Sequence, residues 1–317
     1  KNKFFEVLRA GISTTYQDAG RFGLQHLGVA PSGCMDLKSF KIANCLVGNN
    51  LNEGVIEFAY QGPLLKLNSG KIKVAIGGNV HFEITTSKNK KIKGECNRSY
   101  TLDSGDQIDV VATKKSVYGY LAVEGGFDLK SFHNSISTLT RAGIGPNDGK
   151  KINIKDKIYY KKDCTNQNNL IEMPSYSEKN IIRVLKGPQY DFFSEDSQKK
   201  FFSTLYKITN LTDRMGMRLE GEFLKNNVST NIRSEGITKG AIQVPADGFP
   251  IILLTDHPTI GGYPKIANVI SADYDLLVQK KPSMSISFKL VEISQAELAF
   301  QSYEKEIDKA LSKIKKV

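Results

Sequence analysis

Cysteine and histidine are scarce in this chain, and neither is grouped. The 317 residues include four cysteines without a CxxC pair and four histidines without an HxH or HExxH spacing. Zinc sites and disulfide frameworks depend on such spacings. We therefore expect reduced thiols and no metal ion bound by the protein.

Long apolar runs and cofactor-attachment motifs are missing as well. No segment approaches the roughly 18 uncharged apolar residues that a membrane-spanning helix requires, so no membrane span is expected. The sequence has no GxSxG nucleophile elbow and no Met-Lys-Met for biotin attachment. Residues 143–150 resemble a P-loop, but their glycine spacing is wrong and predicts a turn. Any ATP or tethered cofactor must then come from another chain.

The first residues do not predict an export signal, because Glu6 and Arg9 interrupt the apolar stretch that follows the basic start. A cytoplasmic protein is expected. The formal net charge of +11 is mostly lysine spread along the chain, without aromatic platforms or a recognition helix. This pattern disfavours nucleic-acid binding. It leaves two explanations open, docking onto an acidic partner and attraction of an anionic substrate.

Most apolar residues recur in runs of four to seven, bounded by Gly, Asn, Asp or Pro. Examples are residues 64–67, 72–76, 117–123, 241–244 and 286–291. Short strands at close spacing are typical of barrels and sandwiches, so a mostly β fold is predicted. Helical spacing is confined to three segments: residues 35–46, residues 194–206 with Phe201, Phe202 and Leu205 inward, and an amphipathic helix from Ala296 to Ile314.

Two domains are expected, because this length allows two cores of ordinary size. Polar residues replace the apolar rhythm over residues 161–179, which predicts a linker there. The expected domains are residues 1–178 and residues 179–317, the second with the terminal helix. A weak internal echo between residues 7–11 and 184–187 is consistent with duplication.

Polar groups and glycines are concentrated between Ser234 and Lys265, around two short apolar strands. The pair Gly261 and Gly262 would let backbone N–H groups approach a ligand without a Cβ in the way. The segment also contains Glu235, Gln243 and Asp256 as candidate functional side chains. A tight hairpin with a polar corner is the alternative interpretation.

Two further stretches combine an acid with an arginine. Asp18 and Arg21 are placed to orient an ionic or amide-bearing ligand, although a structural ion pair closing a turn explains them equally well. Arg214 lies in a strand-like run, and a buried arginine needs a partner. The adjacent Asp213 is the expected one.

The chain resembles the allophanate hydrolase subunit 2 family from about residue 5 to about residue 291. Six ordered motifs carry the resemblance: residues 15–21 (Thr-Tyr-Gln-Asp-Ala-Gly-Arg), 32–36 (Ser-Gly-Cys-Met-Asp), 43–49 (Ala-Asn-Cys-Leu-Val-Gly-Asn), 213–216 (Asp-Arg-Met-Gly), 240–245 (Gly-Ala-Ile-Gln-Val-Pro) and 261–264 (Gly-Gly-Tyr-Pro). The family includes biotin-dependent carboxyltransferase domains, the C subunit of ATP-dependent 5-oxoprolinase, and KipA-type regulators.

The resemblance implies two cyclophilin-like β-barrel lobes with an active cleft between them. It implies as the main function a subunit of 5-oxoprolinase, which opens 5-oxo-L-proline to L-glutamate with a subunit 1-type partner and a LamB/YcsF-type subunit. ATP would be handled by those partners, and this chain would carry no covalent cofactor. One alternative is transfer of a carboxyl group from the carboxybiotin of a separate carrier to urea or a related amide. The other is a KipA-like regulatory protein without chemistry.

Motif position and local chemistry suggest roles for a small amide substrate. Arg214 and the amides of Gly261 and Gly262 would stabilise charge on the carbonyl. Asp256 or Glu235 would accept a proton. The positioning groups would be Asp18, Arg21, Gln243 and Tyr263.

One departure from the family pattern weakens the enzyme interpretation. Family members commonly carry Gly-Ser-Arg-Ser-Thr after a Gly-Gly-Phe stretch, whereas residues 134–138 here read Asn-Ser-Ile-Ser-Thr. Ile136 thus stands where the family has arginine. A regulatory protein would tolerate that loss of a cation.

Overall fold

A computed structural model of the chain describes residues 3–164, 167–172 and 177–317. The chain folds into two compact units. Unit 1 comprises Lys1–Arg21, Ser32–Ser175 and Ile307–Val317, and unit 2 comprises Phe22–Pro31 and Tyr176–Glu306. Part of the predicted linker, residues 165–166 and 173–176, lies outside the described residues. The division at residues 178 and 179 therefore stays a prediction.

In the part of the chain that the structure describes, unit 1 contains two large antiparallel sheets, a small two-stranded sheet, one complete α-helix and the end of a second. The strands are β1 (Phe4–Arg9), β2 (Ser13–Gln17), β3 (Val55–Ala59), β4 (Leu64–Leu67), β5 (Lys71–Gly78), β6 (Val80–Thr85), β7 (Lys91–Lys93), β8 (Ser99–Asp103), β9 (Gln107–Thr113), β10 (Tyr118–Val123), β11 (Lys157–Tyr159), β12 (Asn169–Leu170) and β22 (Lys315–Lys316). One sheet has the order β11-β1-β4-β9-β6-β7 and the other β2-β3-β10-β5-β8, while β12 pairs with β22.

The two large sheets of unit 1 share one apolar core, because apolar residues alternate along their strands and face inward. Phe5, Leu65, Phe82 and Ile108 are among its fully buried members. Helix α1 (Leu37–Val47) packs closely on β5, where a Cβ on Gly77 would collide with a helix carbonyl. The predicted helix at residues 35–46 is thus confirmed, with its start two residues later.

Asp36 explains that later start. Its side chain accepts hydrogen bonds from the N–H and the hydroxyl of Ser39 at 3.0 and 2.7 Å, which makes it the N-cap of α1. The helix ends at Gly48, whose backbone is left-handed.

Unit 2 is built around a closed seven-stranded barrel of order β13-β20-β17-β18-β15-β14-β21. Its elements are β13 (Ile181–Lys186), α2 (Glu195–Ser203), β14 (Tyr206–Thr212), β15 (Gly216–Glu220), β16 (Glu235–Gly236), β17 (Ala241–Gln243), β18 (Ile251–Leu253), β19 (Ile260–Gly261), β20 (Lys265–Val269), α3 (Ser271–Val278), β21 (Ser285–Leu290) and the first part of α4 (Ile293–Ser312). Barrel neighbours are antiparallel except β13 and β21. The mostly β prediction is confirmed.

The helices of unit 2 differ from the sequence predictions in their bounds and in one buried residue. Ser194 caps α2 as expected and Phe201 is buried, but Leu205, predicted to face inward, is 65% exposed because the helix ends before it. Helix α4 begins at Ile293 rather than Ala296 and stops before Ile314. Its end, from Ile307 onward, belongs to unit 1. Helix α3 was not predicted. No helix in the described part of the chain is long and apolar enough to cross a membrane.

Candidate functional site

The candidate residues of unit 1 meet at the loop of residues 135–138. The carboxylate of Asp18 accepts hydrogen bonds from the hydroxyls of Ser135 and Ser137, at 2.7 and 2.6 Å. It also accepts from the backbone N–H groups of Ile136 and Gly20, both at 2.8 Å. These four donors hold the buried carboxylate in one position. We name Asp18 together with Gly20, Ser135, Ile136 and Ser137 the Asp18 cluster.

Arg21 is bound to the same loop. Its side chain is almost fully buried and donates from Nη2 to the carbonyl of Ser137 at 2.5 Å, while its guanidinium lies 5.8 Å from the centre of the Phe132 ring. The structure thus brings Asp18 and Arg21 together around one loop. Nearby, Gln17 donates to the carbonyl of Thr138 at 3.0 Å. A buried charge requires hydrogen-bond partners, and the loop of residues 135–138 supplies them to Asp18 and Arg21. These hydrogen bonds therefore fix the conformation of the loop.

Ile136, at the position of the family arginine, makes two separate contributions. Its backbone N–H serves Asp18, which any residue but proline could do. Its side chain packs against the apolar core and lies across Gly54, where a Cβ would be 2.7 Å from two of its carbons. The chain therefore has an apolar contact at the position where the family pattern has a cation, and the backbone N–H of this residue binds Asp18.

A second group in unit 2 pairs Arg214 with Asp256 rather than with Asp213. Arg214 donates from Nε and Nη2 to the two carboxylate oxygens of Asp256, both at 2.9 Å, and both side chains are largely buried. Asp213 instead accepts from the N–H groups of Met215 and Gly216 and closes the turn between β14 and β15. The predicted Asp213 pairing is wrong, because a turn holds the adjacent carboxylate to the backbone.

Asp256 is followed by a buried histidine that the sequence interpretation left unassigned. His257 Nδ1 lies 2.6 Å from the carbonyl oxygen of Pro258. Burial lowers the pKa of His257 below its usual range, which favours the neutral ring. Both oxygens of Asp256 are already engaged by Arg214. Its proposed role as proton acceptor stays a prediction, as does the role of Arg214.

The third group joins several candidates of the segment 234–265, and we name it the Glu235 cluster: Gln189, Glu235, Gln243, Gly261 and Lys265. The carboxylate of Glu235 accepts from the ammonium of Lys265 and, at 2.7 Å, from Nε2 of Gln189. Gln189 also accepts from the backbone N–H of Lys265 at 3.0 Å. First Lys265 and then Gln189 lower the pKa of the Glu235 carboxyl, so this acid stays ionised.

Strand pairing explains why these residues meet. Gln243 in β17 lies opposite Lys265 in β20, beside a β-bulge, and Glu235 in β16 lies opposite Gly261 in β19. Side chains directly opposite each other share one face of a sheet. A Cβ on Gly261 would lie 2.7 Å from Nε2 of Gln243. The glycine is therefore required by the packing of the glutamine amide.

The other two candidates of this segment lie at its edge. Gly262 accepts a hydrogen bond from the N–H of Ile232 at 2.8 Å, and Tyr263 is 41% exposed. Their substrate-binding roles stay predictions. The sequence interpretation missed Gln189 and Lys265. Lys265 offered a signal, since a lysine that begins an apolar strand needs a buried partner, whereas Gln189 is too distant in sequence to have been linked to it.

Comparison with known proteins finds relatives over nearly the whole chain. The family described as carboxyltransferase domain, subdomain A and B, matches residues 27–290. The chain is 30% identical over 305 residues to the C subunit of 5-oxoprolinase from Escherichia coli (strain K12), a match that covers 95% of each chain. It is 32% identical over 291 residues to the corresponding protein of Haemophilus influenzae, covering 92% of each.

A solved structure shows the same fold. The crystal structure of the K. lactis urea amidolyase superposes with a TM-score of 0.88 at 27% identity. That match covers 98% of this chain but only 20% of the other, so this chain is similar to one part of a much longer protein.

Proposed function

The chain belongs to the carboxyltransferase domain family, subdomains A and B, and from that premise we propose that it is the C subunit of an ATP-dependent 5-oxoprolinase. Membership confirms the resemblance that the six motifs carry. In the proposed function the chain works with a subunit 1-type protein and a LamB/YcsF-type subunit. Together they open 5-oxo-L-proline to L-glutamate.

The observation that carries this proposal is the similarity to two 5-oxoprolinase C subunits, at 30% and 32% identity over nearly the whole of those proteins. The 5-oxoprolinase subunits of two bacteria align with this chain over more than nine-tenths of both partners. The urea amidolyase similarity covers a fifth of a protein that carries further regions. The matched part thus accounts for nearly all of a 5-oxoprolinase C subunit, whereas four-fifths of the urea amidolyase lie outside the match.

The chemistry requires that a lactam carbonyl be polarised while the ring is held in one orientation. In unit 2, the buried cation Lys265 and the amide of Gln243 are donors suited to a carbonyl or carboxylate oxygen. Glu235 is the acid beside them. The positioning roles of Asp18 and Arg21, which lie in unit 1, stay predictions. ATP would be bound by the partner subunits.

A second candidate, biotin-dependent carboxyl transfer, is supported by the family description and by the urea amidolyase similarity. In that function carboxybiotin on a separate carrier would be a substrate, and a urea nitrogen would take the carboxyl group. The remaining alternative, a KipA-like regulator, is supported by the apolar Ile136 in place of the family arginine.

Co-expression with the two presumed partners tests the proposal. The purified complex should release phosphate from ATP in a manner that depends on 5-oxo-L-proline and forms glutamate, and omission of this chain should abolish the release. A parallel assay with urea, bicarbonate and a biotin carboxylase tests the second candidate. A correctly assembled complex that releases no phosphate with 5-oxo-L-proline would overturn the proposal, and silence in both assays favours the regulator.

A further inference from the structure

Lys265 is a buried cation whose counter-ion lies nearer to solvent. The Lys265 side chain is 5% exposed, whereas that of its partner Glu235 is 43% exposed. A buried ammonium is costly without a partner, so some anion must face it. The outer position of Glu235, on a strand of two residues, makes this carboxylate the part of the pair that another anion could replace.

A second donor lies beside this ion pair. The side chain of Gln243 is buried, at 6% exposure, and within the described ranges no group accepts a hydrogen bond from its Nε2. A buried N–H without an acceptor destabilises a folded protein, so an acceptor is expected to come from outside the chain. Gln243 lies directly across the β17–β20 pair from Lys265, on the same face.

We propose that Lys265 and Gln243 form a receptor for the carboxylate of a small acid, and that Glu235 is an internal carboxylate that competes with this ligand. The arrangement has the parts such a receptor needs. Lys265 supplies the positive charge, and Nε2 of Gln243 supplies a directed donor. The backbone of Lys265 is held in place because its N–H donates to Oε1 of Gln189 at 3.0 Å. Gly261 leaves the space in which the Gln243 amide lies.

A purely structural ion pair would explain less. Ion pairs with a partly exposed partner contribute little to stability. Such a pair would give no reason for an unsatisfied amide beside it. A ligand carboxylate accounts for both observations, because one oxygen can accept from the ammonium and the other from the amide.

The receptor also specifies the substrate class, and here the inference rests on the proposed function. 5-Oxo-L-proline carries a carboxylate at neutral pH, whereas urea and other simple amides are uncharged. A receptor for an anion would therefore select the amino-acid lactam over urea. Selection of this kind depends on the charge of Lys265 and is opposed by Glu235.

Binding to the purified full-length chain tests the receptor without turnover. The probes are 5-oxo-L-proline, 2-pyrrolidinone, which is the same lactam ring without the carboxylate, and urea, followed by calorimetry or ligand-observed NMR. We expect 5-oxo-L-proline to bind at least about tenfold more tightly than 2-pyrrolidinone or urea, because only its carboxylate can form a charge-assisted hydrogen bond with Lys265. Equal binding of the two lactams, or no binding of 5-oxo-L-proline, would overturn the inference.

Two substitutions should change affinity in opposite directions. Lys265→Gln should weaken 5-oxo-L-proline binding about tenfold and leave 2-pyrrolidinone unaffected. Glu235→Gln should strengthen 5-oxo-L-proline binding several-fold, because the competing carboxylate is gone. The matched controls Lys289→Gln and Glu220→Gln, exposed on other strands of unit 2, should change neither affinity. Weaker binding in Glu235→Gln would contradict the competition. Glu235 is partly exposed, so this variant folds even where Lys265→Gln does not.

The reconstituted complex separates this inference from the proposed function. Turnover of 5-oxo-L-proline that survives Lys265→Gln with an unchanged KM would reject the receptor and keep the function. Carboxylate-selective binding by a chain whose complete complex has no 5-oxoprolinase activity would keep the receptor and reject the function.

Discussion

The Asp18 cluster of unit 1 and the Glu235 cluster of unit 2 both place a carboxylate among donors, but they do so differently. Asp18 is buried, and its oxygens accept from two serine hydroxyls and two backbone N–H groups. Glu235 is half exposed and is held by two long side chains, Lys265 and Gln189. The first acid is fixed by the loop around it, whereas the second is held by groups that can bind another anion.

This difference separates an acid that organises structure from an acid that a ligand can displace. Short donors such as serine and backbone N–H have little freedom to serve another acceptor, so Asp18 is expected to contribute mainly to stability. Lysine and glutamine side chains can change partners with small movements. Three substitutions test this contrast.

The largest effect is expected at a third acid, Asp256, which resembles Asp18 in being buried with both oxygens engaged. Arg214→Ala would leave this carboxylate buried without its bidentate partner, and we expect a loss of about 3–5 kcal/mol in the free energy of unfolding. Chemical denaturation measures it. Arg218→Ala, which removes a more exposed pair with Asp247, should cost no more than about 1 kcal/mol.

The double variant of Arg214 and Asp256 separates structure from catalysis. If the pair is structural, Arg214→Ala with Asp256→Ala should be less destabilised than the sum of the two single variants. Recovery of activity together with stability would mark Arg214 as structural. Activity lost in every variant, with stability recovered, would support its proposed role at the substrate carbonyl. A loss in Arg214→Ala no larger than in Arg218→Ala would contradict the burial argument.

Asp18→Asn is expected to have the next largest effect, a loss of about 2–3 kcal/mol in the free energy of unfolding. In the variant an NH₂ group replaces one of the carboxylate oxygens, which now accept hydrogen bonds from the surrounding donors, and NH₂ cannot accept them. Denaturant titration of the variant against Asp128→Asn, an exposed acid of the same unit, provides the comparison. If instead stability is unchanged and only complex activity is lost, Asp18 is a ligand-binding group and the contrast between the clusters fails.

Gly261→Ala should have the smallest effect on stability, about 1 kcal/mol, because its Cβ meets the ends of two side chains rather than backbone. One of these ends is Nε2 of Gln243, which must move. Binding of 5-oxo-L-proline should therefore fall about tenfold. Gly236→Ala, on the paired strand with open space around it, is the control and should alter neither quantity. Equal affinity in the two alanine variants would show that the Gln243 amide does not contact the ligand.

The elements that the sequence predicted are those determined by local signals. The apolar runs at residues 64–67 and 241–244 became strands, and Asp36 and Ser194 became helix caps. Helix α3 lacked such a signal, since Ile270 at its start makes no side-chain cap. Its Asp273 instead binds Arg183 of β13, a partner ninety positions away.

The candidate residues were found by motif, but their partners were not. Glu235, Gln243 and Gly261 were identified together, yet the cation that links them comes from the next strand of the barrel and Gln189 from far upstream. Arg214 was assigned to its neighbour Asp213, while its partner lies 42 residues on. Ion pairs of this kind depend on which strands lie side by side, and sequence spacing carries no information about that.

The composition of unit 1 has a consequence for biosynthesis. Residues 307–317 belong to this unit, and β22 within them pairs with β12, while Lys313 meets Glu172. A ribosome makes those residues only after it has made all of unit 2. The nascent first unit therefore lacks the β22 partner of β12 until translation has passed residue 316, and a chain interrupted earlier would release a unit without that strand.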